Sequence, residues 1–402
     1  MHRQWIPAWS VVVLGCAAAG ASPPAVRPGI DVLLSDSLHL VRGERVGLLT
    51  NQTGVDRTGK GDVERLREAG VHLTALFSPE HGFRGVLNTD NIGSGVDSAT
   101  GLPVYSLYGA VRAPTAAMLE QVDVILVDLQ SIGSRTWTYT STTLLTLQAA
   151  AAAGKRVIVL DRPNPIGGVA VQGPVLDTVF ASFVGMLPLP LRHGMTLGEL
   201  ARFGAARLGL SADLSVVPVA GWRRAQWLDE TGLPWVRLSP NMPSLESAAL
   251  YPGLVVFEGT NLSVGRGTPI AFQVIGAPWL DPARVGRALG EVPGVSASDT
   301  TITPRAPADG KFPDQTLPAL TFRVTDRTAY DPTRLAARLL WAVHQVHADR
   351  LVFNDAGFDR LAGSSAWRLA VQAGRPGDDV WRSWQPGLER FAQERARYLL
   401  YR

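Results

Sequence analysis

Four apolar runs in the first half of this chain each stop at a short, strongly polar loop, and helical segments lie between them. Val46-Gly47-Leu48-Leu49-Thr50 runs into Asn51-Gln52-Thr53-Gly54, and Leu73 to Phe77 runs into Ser78-Pro79-Glu80-His81-Gly82. Val122 to Asp128 is a third run, and Val157 to Leu160 ends in Asp161-Arg162-Pro163-Asn164-Pro165. Asp62 to Ala69 sets Val63, Leu66 and Ala69 at helical spacing, and Thr142 to Gly154 is an Ala/Leu-rich helix. Strands separated by helices predict an α/β fold with a parallel, doubly wound sheet. In such sheets ligands bind beyond the carboxyl ends of the strands. Asn, Asp, Pro and Gly are ordinary turn residues, but four such loops on one sheet edge mark a site.

At 402 residues the chain is too long for one ordinary core, which predicts two domains. The second half begins near Ser239-Pro240-Asn241-Met242-Pro243-Ser244. Leu254 to Glu258 reads as an apolar strand leading into the Gly/Ser/Thr-rich stretch from Gly259 to Thr268, which carries Asn261 and Arg266. A strand over Ala319 to Val324 and a helix over Pro332 to Val346 follow, then terminal helices around Val380 to Leu400. This half is a smaller α/β domain, and the cleft between the halves is the natural place for a ligand.

The amino terminus predicts export. Met1-His2-Arg3 gives a positive start, and Trp9 to Ala19 is an apolar run too short to span a bilayer as a mature helix. The single cysteine sits in Val13-Leu14-Gly15-Cys16, which is similar to a bacterial lipobox. The expected location is therefore the periplasm or a membrane-anchored lipoprotein, with Cys16 lipidated and the membrane reached only through that anchor. The mature fold has no disulfide.

Several classes are excluded by what the chain lacks. Its 38 Lys+Arg against 35 Asp+Glu give a charge of only +3, spread without a basic stripe, so nucleic acid is not a partner. No Gly-x-Gly-x-x-Gly or Walker loop follows the first strand, and Gly93-Ser94-Gly95 lies in a long loop, so no nucleotide cofactor is expected. No Gly-x-Ser-x-Gly elbow or His-x-x-x-His metal pair occurs. No cofactor and no metal are expected.

A set of motifs in fixed order makes the chain recognisable. They are Leu49-Thr50-Asn51-Gln52-Thr53-Gly54, Pro79-Glu80-His81-Gly82-Phe83-Arg84-Gly85, the run from Gly101 to Gly109, and Asp161-Arg162-Pro163-Asn164-Pro165. Glu258-Gly259-Thr260-Asn261, Gly265-Arg266-Gly267-Thr268, Trp384-Gln385-Pro386 and Tyr398-Leu399-Leu400-Tyr401 complete it. From about residue 31 to the end, the chain resembles the NamZ-like exo-β-N-acetylmuramidases. That resemblance implies a Rossmann-like amino-terminal domain, a smaller carboxy-terminal domain, and an active site in the cleft between them. It also implies release of N-acetylmuramic acid from the non-reducing end of peptidoglycan fragments, in cell-wall turnover. The expected division is a leader and linker over 1–29, the Rossmann-like catalytic domain over 30–240 and the smaller domain over 241–402. Two departures stand out. Ser131 occupies a place where the family usually has Asp, and Val86-Leu87-Asn88-Thr89-Asp90-Asn91 replaces an acidic run.

Glycoside hydrolysis normally needs one carboxylic acid to protonate the leaving oxygen and a second carboxylate to activate water or attack carbon. Glu80, in a strand-end loop beside His81 and near Arg84, is the acid candidate. Asp128 and Glu258 are the main choices for its partner, with Asp161 as a third. The acetamido group of the substrate could instead serve as nucleophile, the second acid only orienting it. The lactyl carboxylate of muramic acid calls for a cation, preferably a bidentate Arg, and Arg84, Arg135, Arg162 and Arg266 all lie in the loops named. Asn51, Gln52, Asn164 and Asn261 suit sugar hydroxyls, and Trp137 and Tyr139 suit a pyranose face. His193 reads more as a structural hydrogen-bonder than as a base. The competing readings are an amidase or esterase on the same polymer and a muropeptide-binding module without activity.

Overall fold

The computed structural model describes residue 2 and residues 25–89 and 91–402; the apolar run expected to direct export, with Cys16, lies outside the described residues, as does Asp90. In the first half, β1 (Val46–Thr50), β2 (Leu73–Ser78), β3 (Gly95–Val96), β4 (Pro103–Ser106), β5 (Val124–Asp128) and β6 (Arg156–Leu160) enter one sheet. The chain then makes a two-stranded ladder, β7 (Gln172–Val175) with β8 (Pro190–Arg192), before β9 (Leu214–Val217) returns to the large sheet. The order across the seven strands is β3-β4-β2-β1-β5-β6-β9. All neighbours are parallel except the edge pair of β3 and β4. Counted along the parallel strands alone, the order is 3-2-1-4-5-6, that of dinucleotide-binding sheets. β1 and β5 are buried at every position, which is why they read as unbroken apolar runs rather than alternating ones.

The helix expected after β5 starts earlier than its apolar pattern suggests, at Tyr139, and runs to Ala152. β4 and β9 escape detection because each is short and only partly buried. One expectation is overturned. Leu254 to Glu258 is not a strand but the end of a buried helix (Leu245–Leu254) continuing into a 3₁₀ turn (Val255–Gly259). An apolar run buried on all sides carries no period, so strand and helix look alike in it.

The second half holds β10 (Val274–Gly276), β11 (Val295–Ile302) and β12 (Leu317–Val324) in an antiparallel sheet of order β10-β12-β11. Helices Leu245–Leu254 and Pro282–Leu289 pack on it, and Pro332–His347 packs against both of those helices. Asp331 starts the last of these, accepting from Thr333 N at 2.8 Å and Arg334 N at 3.0 Å, with Pro332 in the first turn. One apolar cluster runs from Val127 and Tyr139 through Leu254 and Phe257 to Leu340, so the halves share a core. The chain end also returns to the first half: Tyr401 donates its hydroxyl to Asp161 Oδ2 at 2.5 Å, and Leu400 N donates to Glu199 Oε1 at 2.7 Å. Among the described residues, no helix is long and apolar enough to cross a membrane.

Candidate functional site

β2 ends at Ser78, and Pro79 turns the chain so that Glu80 faces a cleft between the two halves. The loop beyond it is tightly constrained. His81 (φ 69°), Gly82 (φ 75°) and Gly85 (φ 67°) all adopt left-handed backbone, which a histidine rarely enters. A Cβ on Gly85 would meet the Gln52 side chain at 1.9 Å, so glycine is required there by contact as well as by φ. Gln52 Nε2 in turn donates to Arg237 O at 2.8 Å and Leu238 O at 3.2 Å. His81 Nδ1 lies 2.7 Å from Leu87 O; a carbonyl only accepts, so that nitrogen carries the proton. Glu80 itself is half-buried, and its Oε2 accepts from Thr138 Oγ1 at 2.5 Å. Thr138 is the residue before helix Tyr139–Ala152, yet its hydroxyl makes no cap bond to that helix. It is turned to the carboxyl instead, fixing the orientation of Glu80.

The opposite wall comes from the second half. Glu258, in the 3₁₀ turn Val255–Gly259, accepts from Arg266 Nε in a close ion pair. The Arg266 guanidinium lies 5.1 Å from the Phe272 ring centroid. Burial pulls Arg266 toward deprotonation, but Glu258 outweighs it and the net shift is upward. Lys311 Nζ donates to Glu258 O at 3.0 Å and Leu262 O at 2.8 Å, tying down the same turn. Asp309 also faces the cleft; burial raises its carboxyl above the usual range, and its Oδ2 is buried without a hydrogen-bond partner among the described residues. Trp137 and Tyr251 meet edge to face at 5.9 Å, and Tyr251 meets Phe272 at 4.7 Å, giving the cleft an aromatic floor. Burial, then Glu258 and further off Glu80, push the Tyr251 phenol upward, which keeps it neutral. The cleft encloses about 690 Å³, within the range for small-molecule sites.

Of the residues singled out from sequence, Glu80, His81, Trp137, Glu258 and Arg266 line this cleft together. Asp128 does not. It is fully buried at the switch point of the sheet, where Arg162 binds both its oxygens and also donates to Val55 O at 2.6 Å. Asp62 lies in the same pocket of charge, 3.9 Å from Arg162. A salt cluster thus fills the place where comparable sheets hold a dinucleotide. Burial raises both carboxyls there, Asp62 well above the usual range.

Most of the other candidates are also spent inside the protein. Asn51 donates to Tyr139 Oη at 2.7 Å and accepts from Thr53 N and Oγ1. Asn164 spans Met195 O and Ile166 N, and Asn261 spans Arg350 O and Val352 N. Arg135 is buried with its guanidinium on Pro174 O, Leu189 O and Leu361 O; burial draws it down to about 9. His193 Nδ1 accepts from Met195 N, and burial, with Arg395 and Arg135, holds the ring at about 3, neutral and structural. Asp161, raised to about 6 by burial, is the anchor for Thr196, Gly198 and Tyr401. Arg84 is 68% exposed, 3.4 Å from Asp97, in a separate recess beside Gln52. Sequence reasoning missed Thr138, Tyr251, Asp309 and Arg360, all on the cleft. Thr138 alone left a signal, as a Thr just ahead of a helix. Among the described residues, no group of three or more His, Cys, Asp or Glu is placed to hold a metal ion.

Both halves of the chain match known proteins. Residues 46–246 match the family model described as exo-β-N-acetylmuramidase NamZ, N-terminal, and residues 249–401 match its C-terminal counterpart. The peptidoglycan β-N-acetylmuramidase NamZ of Bacillus subtilis (strain 168) is 39% identical over 398 residues, covering 96% of this chain and 95% of that protein. Two DUF1343 family proteins of Bacteroides fragilis NCTC 9343 have solved structures that each cover 94% of this chain and 99% of their own. One superposes with a TM-score of 0.87 at 35% identity, the other with 0.74 at 30%. With both halves matched in order, and a relative this similar over nearly the whole chain, the chain belongs to the NamZ exo-β-N-acetylmuramidase family.

Proposed function

We propose that this protein is an exo-acting glycosidase that releases N-acetylmuramic acid from the non-reducing end of peptidoglycan fragments, with Glu80 as its general acid. The substrate and the exo mode follow from its family and from the B. subtilis relative. The observation that carries the mechanism is the meeting of Glu80 and the Glu258–Arg266 pair in one aromatic-floored cleft between the domains. Glu80 gives its proton to the glycosidic oxygen as the C1–O bond breaks, while the Thr138 hydroxyl holds the carboxyl in line. A water adds to C1, and its surplus proton returns to a carboxylate. Glu258, steadied by Arg266, serves as that carboxylate; Asp128, locked on Arg162, takes no part. Trp137 and Tyr251 offer the apolar surface that a pyranose face seeks, backed by Phe272.

The test is a pair of chromogenic glycosides, an aryl N-acetyl-β-muramide and the matching N-acetyl-β-glucosaminide. Turnover of the muramide alone is expected. Turnover of neither, with muropeptides still bound, would make the protein a binding module.

A further inference from the structure

Among the described residues the cleft carries three carboxyl side chains, Glu80, Glu258 and Asp309. A sugar bearing its own carboxylate is repelled by such a site unless a cation receives it. Among the described residues two arginines line the cleft, Arg266 and Arg360. Arg266 is already committed, its charge paired with Glu258 and its plane set over Phe272. Arg84, Arg135 and Arg162 are elsewhere, as described above. Arg360 is different: it is exposed, lines the cleft, and its side chain has no hydrogen bond or ion pair among the described residues.

Its backbone is nonetheless held firmly. Arg360 occupies the last turn of helix Asp355–Ala362, which Asn354 caps through Gly357 N at 3.1 Å. The far end of this helix is tied to the first half of the molecule. Arg135 Nη2 donates to Leu361 O at 2.7 Å, and Asp177 N donates to Gly363 O at 2.9 Å. A Cβ on Gly363 would meet the Arg135 guanidinium at 2.8 Å, so the two domains are in close contact there. An uncommitted guanidinium on a fixed stem is what carboxylate recognition calls for, since little backbone order is lost on binding.

Resting on the function proposed above, we propose that Arg360 binds the lactyl carboxylate of the muramyl sugar and so sets the preference for it over N-acetylglucosamine. Arg135, which sequence marked as a reader of that group, serves instead to place Arg360, by holding the carbonyl of the next residue.

The experiment is a cycle of two enzymes and two substrates: wild type and Arg360→Gln, each on an aryl N-acetyl-β-muramide and on its lactyl methyl ester. Wild type is expected to favour the acid over the ester by about 10- to 100-fold in kcat/KM, the range of a charge-assisted hydrogen bond. In Arg360→Gln that preference disappears, because the acid falls to the level of the ester. Arg360→Lys recovers part of it. Undiminished preference for the acid in Arg360→Gln, with an unchanged melting temperature, overturns the proposal, as does loss of the preference in Arg266→Lys but not in Arg360→Gln. Failure of the wild type to hydrolyse either muramide defeats the functional reading itself, and this inference with it.

Discussion

Glu80→Gln is expected to lower kcat on an N-acetylmuramyl disaccharide by about 10³-fold while leaving the fold and substrate affinity intact. The amide is close in shape to the carboxyl, and its oxygen still accepts from Thr138 Oγ1, so the loop geometry survives. What is lost is the proton for the departing sugar oxygen. The size of the defect therefore depends on the leaving group. A disaccharide leaves as an alkoxide unless protonated, whereas a nitrophenolate departs without help, so the loss on a nitrophenyl muramide is expected to be much smaller. Steady-state kinetics on both substrates check this. Equal losses on both would assign Glu80 to positioning rather than to proton transfer.

Arg162→Met is expected to cost about 3–5 kcal/mol of stability, the scale for removing one partner from a buried ion pair. The substitution keeps the apolar stem but strips Asp128 of its cation and leaves Val55 O without its donor. Asp62, already raised well above the usual carboxylate range by burial and by Asp128, loses its opposing charge too. The melting temperature should fall by about 4–6 °C. The pH dependence has a definite sign. Both carboxyls titrate higher in the fold than in the unfolded chain, so ionising them costs stability as pH rises above about 4. Arg162 opposes that cost, and its removal makes the deficit grow with pH and shrink in acid. Thermal melts of wild type and variant at pH 5 and pH 8 check both statements; a deficit that is absent, or larger at pH 5, would contradict them.

The large sheet was legible because β1, β5 and β6 are buried on both faces and end at polar loops. Partner choice among those loops was not. Polar residues at the ends of apolar runs split into two groups that composition does not separate. Glu80 and Glu258 come to the cleft, while Asp128, Arg162, Asp161 and Asn164 satisfy one another or nearby backbone under the sheet edge. Which group a residue joins depends on pairings distant in sequence, such as Asp128 with Arg162, 34 residues apart. Asn51 shows the same limit, since its Tyr139 partner is 88 residues away. Asp309 and Arg360 left no mark because each sits in an ordinary setting, a Gly-containing turn and the end of an amphipathic helix. Only the folding of the second half onto the first brings them to the cleft.

The structure of the Glu80→Gln protein with an uncleaved N-acetylmuramyl disaccharide tests most directly whether this cleft is where the chemistry happens. The muramyl ring should lie over Trp137 and Tyr251, with the glycosidic oxygen within about 3 Å of residue 80. Sugar density in the recess beside Gln52 and Arg84, with the interdomain cleft empty, would contradict the account.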